Sequence, residues 1–182
     1  MRILLLADLH ANMEAARALE KQLPALRADQ VWFLGDAVGK GPDNAEAVDW
    51  VRTHCDHWIK GNWDDGVTQR LFDWDEWIWR QLGDERLNWL ASLPWQDELT
   101  LSGLTFRLFH GRPVTGLLQG WDREEQLIEP FHADGRTYDG VIFADSHRPF
   151  IRTLNGGYIM NTGSVGNSMG VPRVHCLLLE GG

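Results

Sequence analysis

Asp8, His10, Asp36, Asn62, His110, Asp145 and His147 have side chains suited to metal chemistry, and each falls just past an apolar run. Asp8 and His10 bound residues 3–7, Asp36 follows 31–34, and Asn62 follows a short run through Trp58-Ile59 and Gly61. His110 closes residues 104–109, and Asp145 and His147 close 141–144. Carboxylate, carboxamide and imidazole are the O and N donors that divalent transition metals accept, and two ions bridged by one carboxylate are a recurrent device for phosphoryl chemistry. Taken singly, Asp8, Asp36 or Asn62 reads as a helix cap or turn residue. Their joint recurrence at the ends of apolar runs favours one shared site.

The runs themselves must position these groups. Residues 3–7 and 31–34 read as buried strands, with an amphipathic helix over 12–23 between them. The βαβ pattern repeats after Asp36: a Gly-rich loop, a helix over about 43–54, then a short strand through Trp58-Ile59. Buried strands joined by helices predict a parallel sheet, and loops leaving the carboxyl ends of its strands converge on one crevice. Residues 63–95 shift to Trp, Asp, Leu and Arg, with Trp74, Trp77, Trp79 and Trp89 at partly helical spacings, and read as a helical insertion. Residues 98–101 and 104–109 flank Ser102-Gly103 as a hairpin, and 141–144, 150–154, 158–160 and 174–179 are short β runs. The expected fold is α/β: a layered α-β-β-α sandwich with mixed sheets and a helical Trp-rich insertion.

At 182 residues, 43% hydrophobic and 24% charged, the chain fits a single domain over 1–182. The apolar start is cut short by Asp8 and His10, so it reads as a strand rather than a signal peptide. No stretch approaches a membrane span, and the mean hydropathy of -0.31 fits a cytoplasmic protein with no membrane partner. Cys55 and Cys176 form no paired spacing. A formal charge of -9 without a Lys/Arg stripe disfavours general nucleic-acid binding, although bound cations would invert the field where a phosphate approaches. His54, Cys55 and His57 straddle a helix end and a strand start and read as structural. Gly39-Lys40-Gly41 lacks the spacing of a Walker loop and reads as a flexible loop at the site mouth.

Six motifs carry a resemblance to the calcineurin-like metallophosphoesterases, and to their small bacterial phosphodiesterase-like branch. Asp8-Leu9-His10-Ala11-Asn12 resembles the DxHxN opening, residues 35–42 the GDxVGxGP loop and Gly61-Asn62 the GN element. His110-Gly111 resembles the histidine-glycine step, residues 146–150 the end of GHTHRPF, and residues 161–166 the closing NPGSVG turn. The resemblance implies that Asp8, His10 and His147 hold a first divalent ion, that Asp36 bridges, and that Asn62 and His110 hold a second. It implies hydrolysis of a small phosphorylated substrate, a phosphodiester or phosphomonoester, by hydroxide between the ions. Mn²⁺ is the first expectation, with Fe, Ni, Co or Zn open.

Two positions depart from that pattern. Asp145 stands where the family has a histidine for the second ion, and is expected either as a ligand or as a hydrogen-bonding partner of one. As an ionised ligand it would lower the summed charge of ions and carboxylates from about +2 to about +1. Trp63 replaces a histidine that many relatives use toward the leaving group; Asp64 is a candidate substitute acid. Arg112 and, second to it, Arg148 are candidates to hold a phosphate oxygen. The alternative from another class is a protein-interaction scaffold, as the fold is used without catalysis by a retromer subunit resembling these proteins. Oligomeric state is not legible.

Overall fold

A computed structural model describes residues 1–73 and 75–182; the expected helical position of Trp74 lies outside the described residues. Two sheets stack face to face. The first has the order β11-β1-β2-β3, from β1 (Arg2–Leu6), β2 (Gln30–Phe33), β3 (His57–Trp58) and β11 (Leu177–Glu180), with β1, β2 and β3 parallel and β11 antiparallel to β1. The second has the order β4-β5-β8-β10-β9, from β4 (Gln96–Leu101), β5 (Leu104–Phe109), β8 (Gly140–Phe143), β9 (Phe150–Leu154) and β10 (Gly157–Asn161). In it β5, β8 and β10 run parallel, with antiparallel β4 and β9 at the edges.

The two-residue period of β1 shows how the layers form. Ile3 and Leu5 face the second sheet, where they pack with Trp32, Leu34, Phe106, Leu108 and Ile142. Leu4 and Leu6 face the other way, onto helices carrying Ala16, Leu19, Val48 and Val51. From Ile3 to Ala7 each side chain is thus buried whichever face it takes, which is why that stretch has no polar residue until Asp8. The outer face of the second sheet is covered more thinly, by Leu127 and Phe131 of the α6 (Glu124–Ile128) segment and the 3-10 turn after it.

Several boundaries differ from those expected. The helix over 12–23 is two: α1 (Met13–Glu20), capped by the Asn12 carboxamide, and the single turn α2 (Leu23–Leu26). Pro24 lacks the N–H that would continue the first helix through Glu20. The second β helix, α3, spans Asn44–His54. The insertion is helical, as α4 (Asn62–Thr68) and α5 (Asp75–Ser92), but Gly83 at φ 65° breaks the second. The last strand begins three residues late, at Leu177. The small hairpin β6 (His132–Ala133) and β7 (Arg136–Thr137) went unanticipated. His54 and His57 stack on Trp50 and Trp32, in keeping with a structural role. Among the described residues no helix is long and apolar enough to cross a membrane.

Candidate metal centre

The loops that follow β1, β2, β3, β5, β8 and β10 meet at one end of the two sheets and are stitched by backbone hydrogen bonds. Asp8 N donates to Gly35 O at 2.9 Å, His10 N to Asp36 O at 3.0 Å and Ala144 N to His110 O at 2.7 Å. Ser164, in the closing turn after β10, donates its hydroxyl to Asp8 O at 2.9 Å. The β2 and β3 loops touch so closely that a Cβ on Gly35 would strike the Gly61 backbone, and one on Gly61 would strike the Asp36 carboxylate. That contact sets Asn62 beside Asp36. Asp8, His10, Asp36, Lys40, Asp145 and His147 all have positive φ, between 49° and 63°. Such conformations are uncommon for residues other than glycine and are tolerated where a site over-determines the backbone.

Three imidazoles converge with one orientation. Nδ1–H donates to Val38 O at 3.2 Å in His10, to Leu34 O at 2.6 Å in His110 and to Asn167 O at 2.7 Å in His147. A carbonyl can only accept, so each Nδ1 carries a proton and each Nε2 is turned inward, the arrangement that orients metal-binding histidines. Donor atoms of Asp8, His10 and His147 lie within 4.8 Å of one another, as do those of Asp8, Asp36 and His110. His10 Nε2 and His147 Nε2 are 3.3 Å apart. Burial, with Lys40 adding to it, pushes His10 down to about 3 and lowers His147, leaving both neutral and their lone pairs free.

Burial also disfavours a charged His110, but the Asp36 and Asp8 carboxylates outweigh it and carry that imidazole up to about 10. Asp36 in turn is held below the ordinary carboxylate range, against burial, by His110, His10 and the Trp63 N–H. His110 Nε2 is 3.3 Å from Asp36 Oδ2 without closing a hydrogen bond. Both oxygens of Asp8, Oδ1 of Asn62 and Nε2 of His110 are buried with no hydrogen-bond partner. Four orphaned donors facing one space are costly in protein alone and are satisfied together by cations. Lys40 brings a cation to the other two imidazoles and leaves these four atoms unpartnered: its Nζ lies 3.0 Å from His10 Nε2 and 3.5 Å from His147 Nε2.

The sequence matches the calcineurin-like phosphoesterase superfamily domain over residues 1–181. The chain belongs to this superfamily. It is 27% identical to an uncharacterized protein of Methanocaldococcus jannaschii over 173 residues, 90% of this chain and 69% of that protein. Among solved structures it is similar to a metallophosphoesterase from Sphaerobacter thermophilus, with a TM-score of 0.78, 27% identity, and 99% of this chain and 84% of that one covered. The phosphoesterase Yfce of E. coli shares the fold at 16% identity and a TM-score of 0.62, over 99% of this chain and 88% of its own. The superfamily is metal-dependent, and the Asp/His groups of this chain fit it.

Against the superfamily pattern, Asp145 and Asp64 are placed otherwise than the sequence suggested. Arg112 clamps Asp145 at both oxygens: Nε to Oδ2 at 2.8 Å, Nη2 to Oδ1 at 2.6 Å, with the Arg112 backbone N–H adding a third bond at 3.0 Å. Burial raises the Asp145 carboxyl, yet Arg112 and His110 outweigh it and keep it ionised. Arg112 thereby returns the unit of positive charge that an ionised Asp145 was expected to remove. Asp64, the third residue of α4, accepts backbone N–H bonds from Asp36 (2.8 Å), Ala37 (2.9 Å), Val38 (3.3 Å) and Gly61 (3.0 Å). Burial and Asp36 push its carboxyl up to about 6, a value suited to an acid. It is nonetheless 1% exposed and fully engaged, so it braces the β2 loop instead of reaching substrate. Trp63 stands edge-on to His10, with ring centroids 5.7 Å apart, as a wall of the site.

A cavity of about 300 Å³ opens on this centre, lined by Asp36, Lys40, Arg112, His147 and Arg148. A second, of about 410 Å³, lies across Lys40 and carries Glu14 and Asp43. Lys40, Arg112, Arg148 and the Asp36 carboxylate meet in the first, so a phosphate is better received there. Lys40 was expected only as part of a loop at the site mouth, and Trp121, which also lines the cavity, was not singled out at all. A lysine between two glycines in the loop after Asp36 was a usable signal for the former; nothing local marked the latter.

Proposed function

We propose that this chain is a phosphoester hydrolase working through two divalent ions. Asp8, His10 and His147 would hold the first, Asp36, Asn62 and His110 the second, with the Asp36 carboxylate between them. The buried, unpartnered atoms of Asp8, Asn62 and His110 carry this reading. Two ions seated there supply Lewis acidity toward phosphate oxygens and acidify a water to make the nucleophile at neutral pH. The chain's own residues do the remainder. The Nδ1–H bonds to backbone carbonyls fix the three imidazoles. Arg112, half exposed and pre-aimed by Asp145, is placed to hold a phosphate oxygen by a charge-assisted bond. Asp145 then acts through Arg112 and not as a ligand. With Trp63 unable to transfer a proton and Asp64 engaged, leaving groups that depart without acid help are favoured, aryl esters included.

Mn²⁺ suits the mixed O and N donors, with Fe, Ni, Co or Zn as alternatives. The expected surroundings are cytoplasmic, with a small phosphorylated substrate. Protein loaded with Mn²⁺ should cleave bis-p-nitrophenyl phosphate, and Asp36→Asn should abolish cleavage. Wild type that binds two ions yet cleaves no mono- or diester across a broad panel would favour the scaffold reading instead. Four orphaned donors argue against a scaffold, which has no physical need for them.

A further inference from the structure

Trp121 is 66% exposed, yet the turn that bears it is pinned on both sides. The Arg152 guanidinium donates to the carbonyls on both sides of it, Gly120 O at 3.1 Å and Asp122 O at 2.8 Å. The turn that carries it is closed by Asp122 N to Gln119 O at 3.0 Å and by Gln119 N to the Asp122 carboxylate at 2.7 Å. Gly120 lies against the Phe150 ring, so close that a Cβ there would come within 3.0 Å of Cγ. The Arg148 guanidinium covers the indole, 5.2 Å from the ring centroid. Trp121, Leu117 (46% exposed) and Met169 (54% exposed) line the same cavity as Asp36, Arg112 and His147. An exposed apolar patch of this kind, rimmed by Lys40, Arg112 and Arg148, marks a binding surface.

We propose that Trp121 is the platform for the organic group of the substrate, and that this group is a planar aromatic ring esterified to the phosphate. The proposal rests on the phosphoester reading of the centre. The cations around Arg112 match the phosphate, and the exposed indole, with Arg148 beside it, matches the flat face of a nucleobase or aryl ring. Leu117 and Met169 add apolar surface to the same cavity. Stacking of a substrate ring on the indole should strengthen binding by about tenfold.

Binding of non-hydrolysable phosphonates to the Mn²⁺-loaded protein tests this by calorimetry. Wild type should prefer phenylphosphonate to methylphosphonate by about tenfold. Trp121→Ala should erase most of that preference, and Trp121→Phe should keep most of it. An adenosine 5′-phosphonate held more tightly than phenylphosphonate, and dependent on Trp121, assigns the ring to a nucleobase; the reverse order assigns it to an aryl ester. Equal binding of phenyl- and methylphosphonate by wild type overturns the proposal, as does a preference that survives in Trp121→Ala. The failure of the hydrolase reading looks different: the preference would persist while no phosphoester is cleaved.

Discussion

The two halves of the centre use the same kinds of residue but complete them differently. In the Asp8, His10 and His147 half, two neutral imidazoles face each other at 3.3 Å and the Lys40 ammonium sits against both. In the Asp36, Asn62 and His110 half, a charged imidazole is paired with a carboxylate, and the position expected to furnish one more ligand is locked to Arg112. The first half thus keeps the full expected set of donors, with the Lys40 ammonium against it. In the second, the proposed function has Asp145 act on phosphate through Arg112, at a position where the superfamily pattern has a metal ligand.

Losing the shared carboxylate should hurt most. Asp36→Asn is expected to lower hydrolysis of bis-p-nitrophenyl phosphate by more than ~100-fold and to cut the metal content found by elemental analysis, since even outer partners of metal ligands are worth about 10–100-fold. Asp64→Ala should act on folding instead. Four loop amides lose their acceptor, so chemical denaturation should show a loss of about 3 kcal/mol while the metal-loaded folded protein keeps its hydrolysis; an acid-catalyst role would reverse that pattern. Arg112→Ala should lower kcat/KM by about 10–100-fold with metal content retained, and Arg112→Lys should recover little, because a point charge cannot reproduce the bidentate clamp.

The halves should also differ in proton traffic. His110 is protonated at pH 7 in the metal-free chain, so loading the second half must release roughly one proton and affinity must climb with pH toward about 10. Calorimetry in buffers of different ionisation enthalpy reads this directly. The sign for folding follows from a folded pKa above the ordinary 6.5: stability from the His110–Asp36 pair is complete below about 6.5 and is lost as pH rises through about 10. The histidines of the first half are already neutral, so a proton released there comes from Asp8, whose carboxyl burial pushes well above the usual carboxylate range. The smaller signature of that half is Lys40→Ala, which removes a like charge from the seat and should tighten metal binding about fivefold, or ~1 kcal/mol at 4 Å in water-like screening.

The alternation of Ile3 and Leu5 against Leu4 and Leu6 made the layers legible, and the placement of donors past apolar runs made the convergence legible. What escaped depends on partners distant in sequence. Pro24 splits a helix that hydrophobic spacing joins. Asp64 looks like a free acid beside Asn62 until the β2 loop folds its N–H groups onto it. Asp145 looks like a poor ligand until Arg112 is seen to take both oxygens. Trp121 is marked only by Arg152, from strand β9, gripping the turn that bears it.

The number of Mn²⁺ ions bound per chain by wild type and by Asp145→Asn tests the centre most directly. Two ions in both proteins, with weaker phosphate binding in the variant, is the expected result, since Asn keeps the shape of Asp145 but releases Arg112. Fewer than two ions in wild type, or loss of one in Asp145→Asn alone, would contradict it.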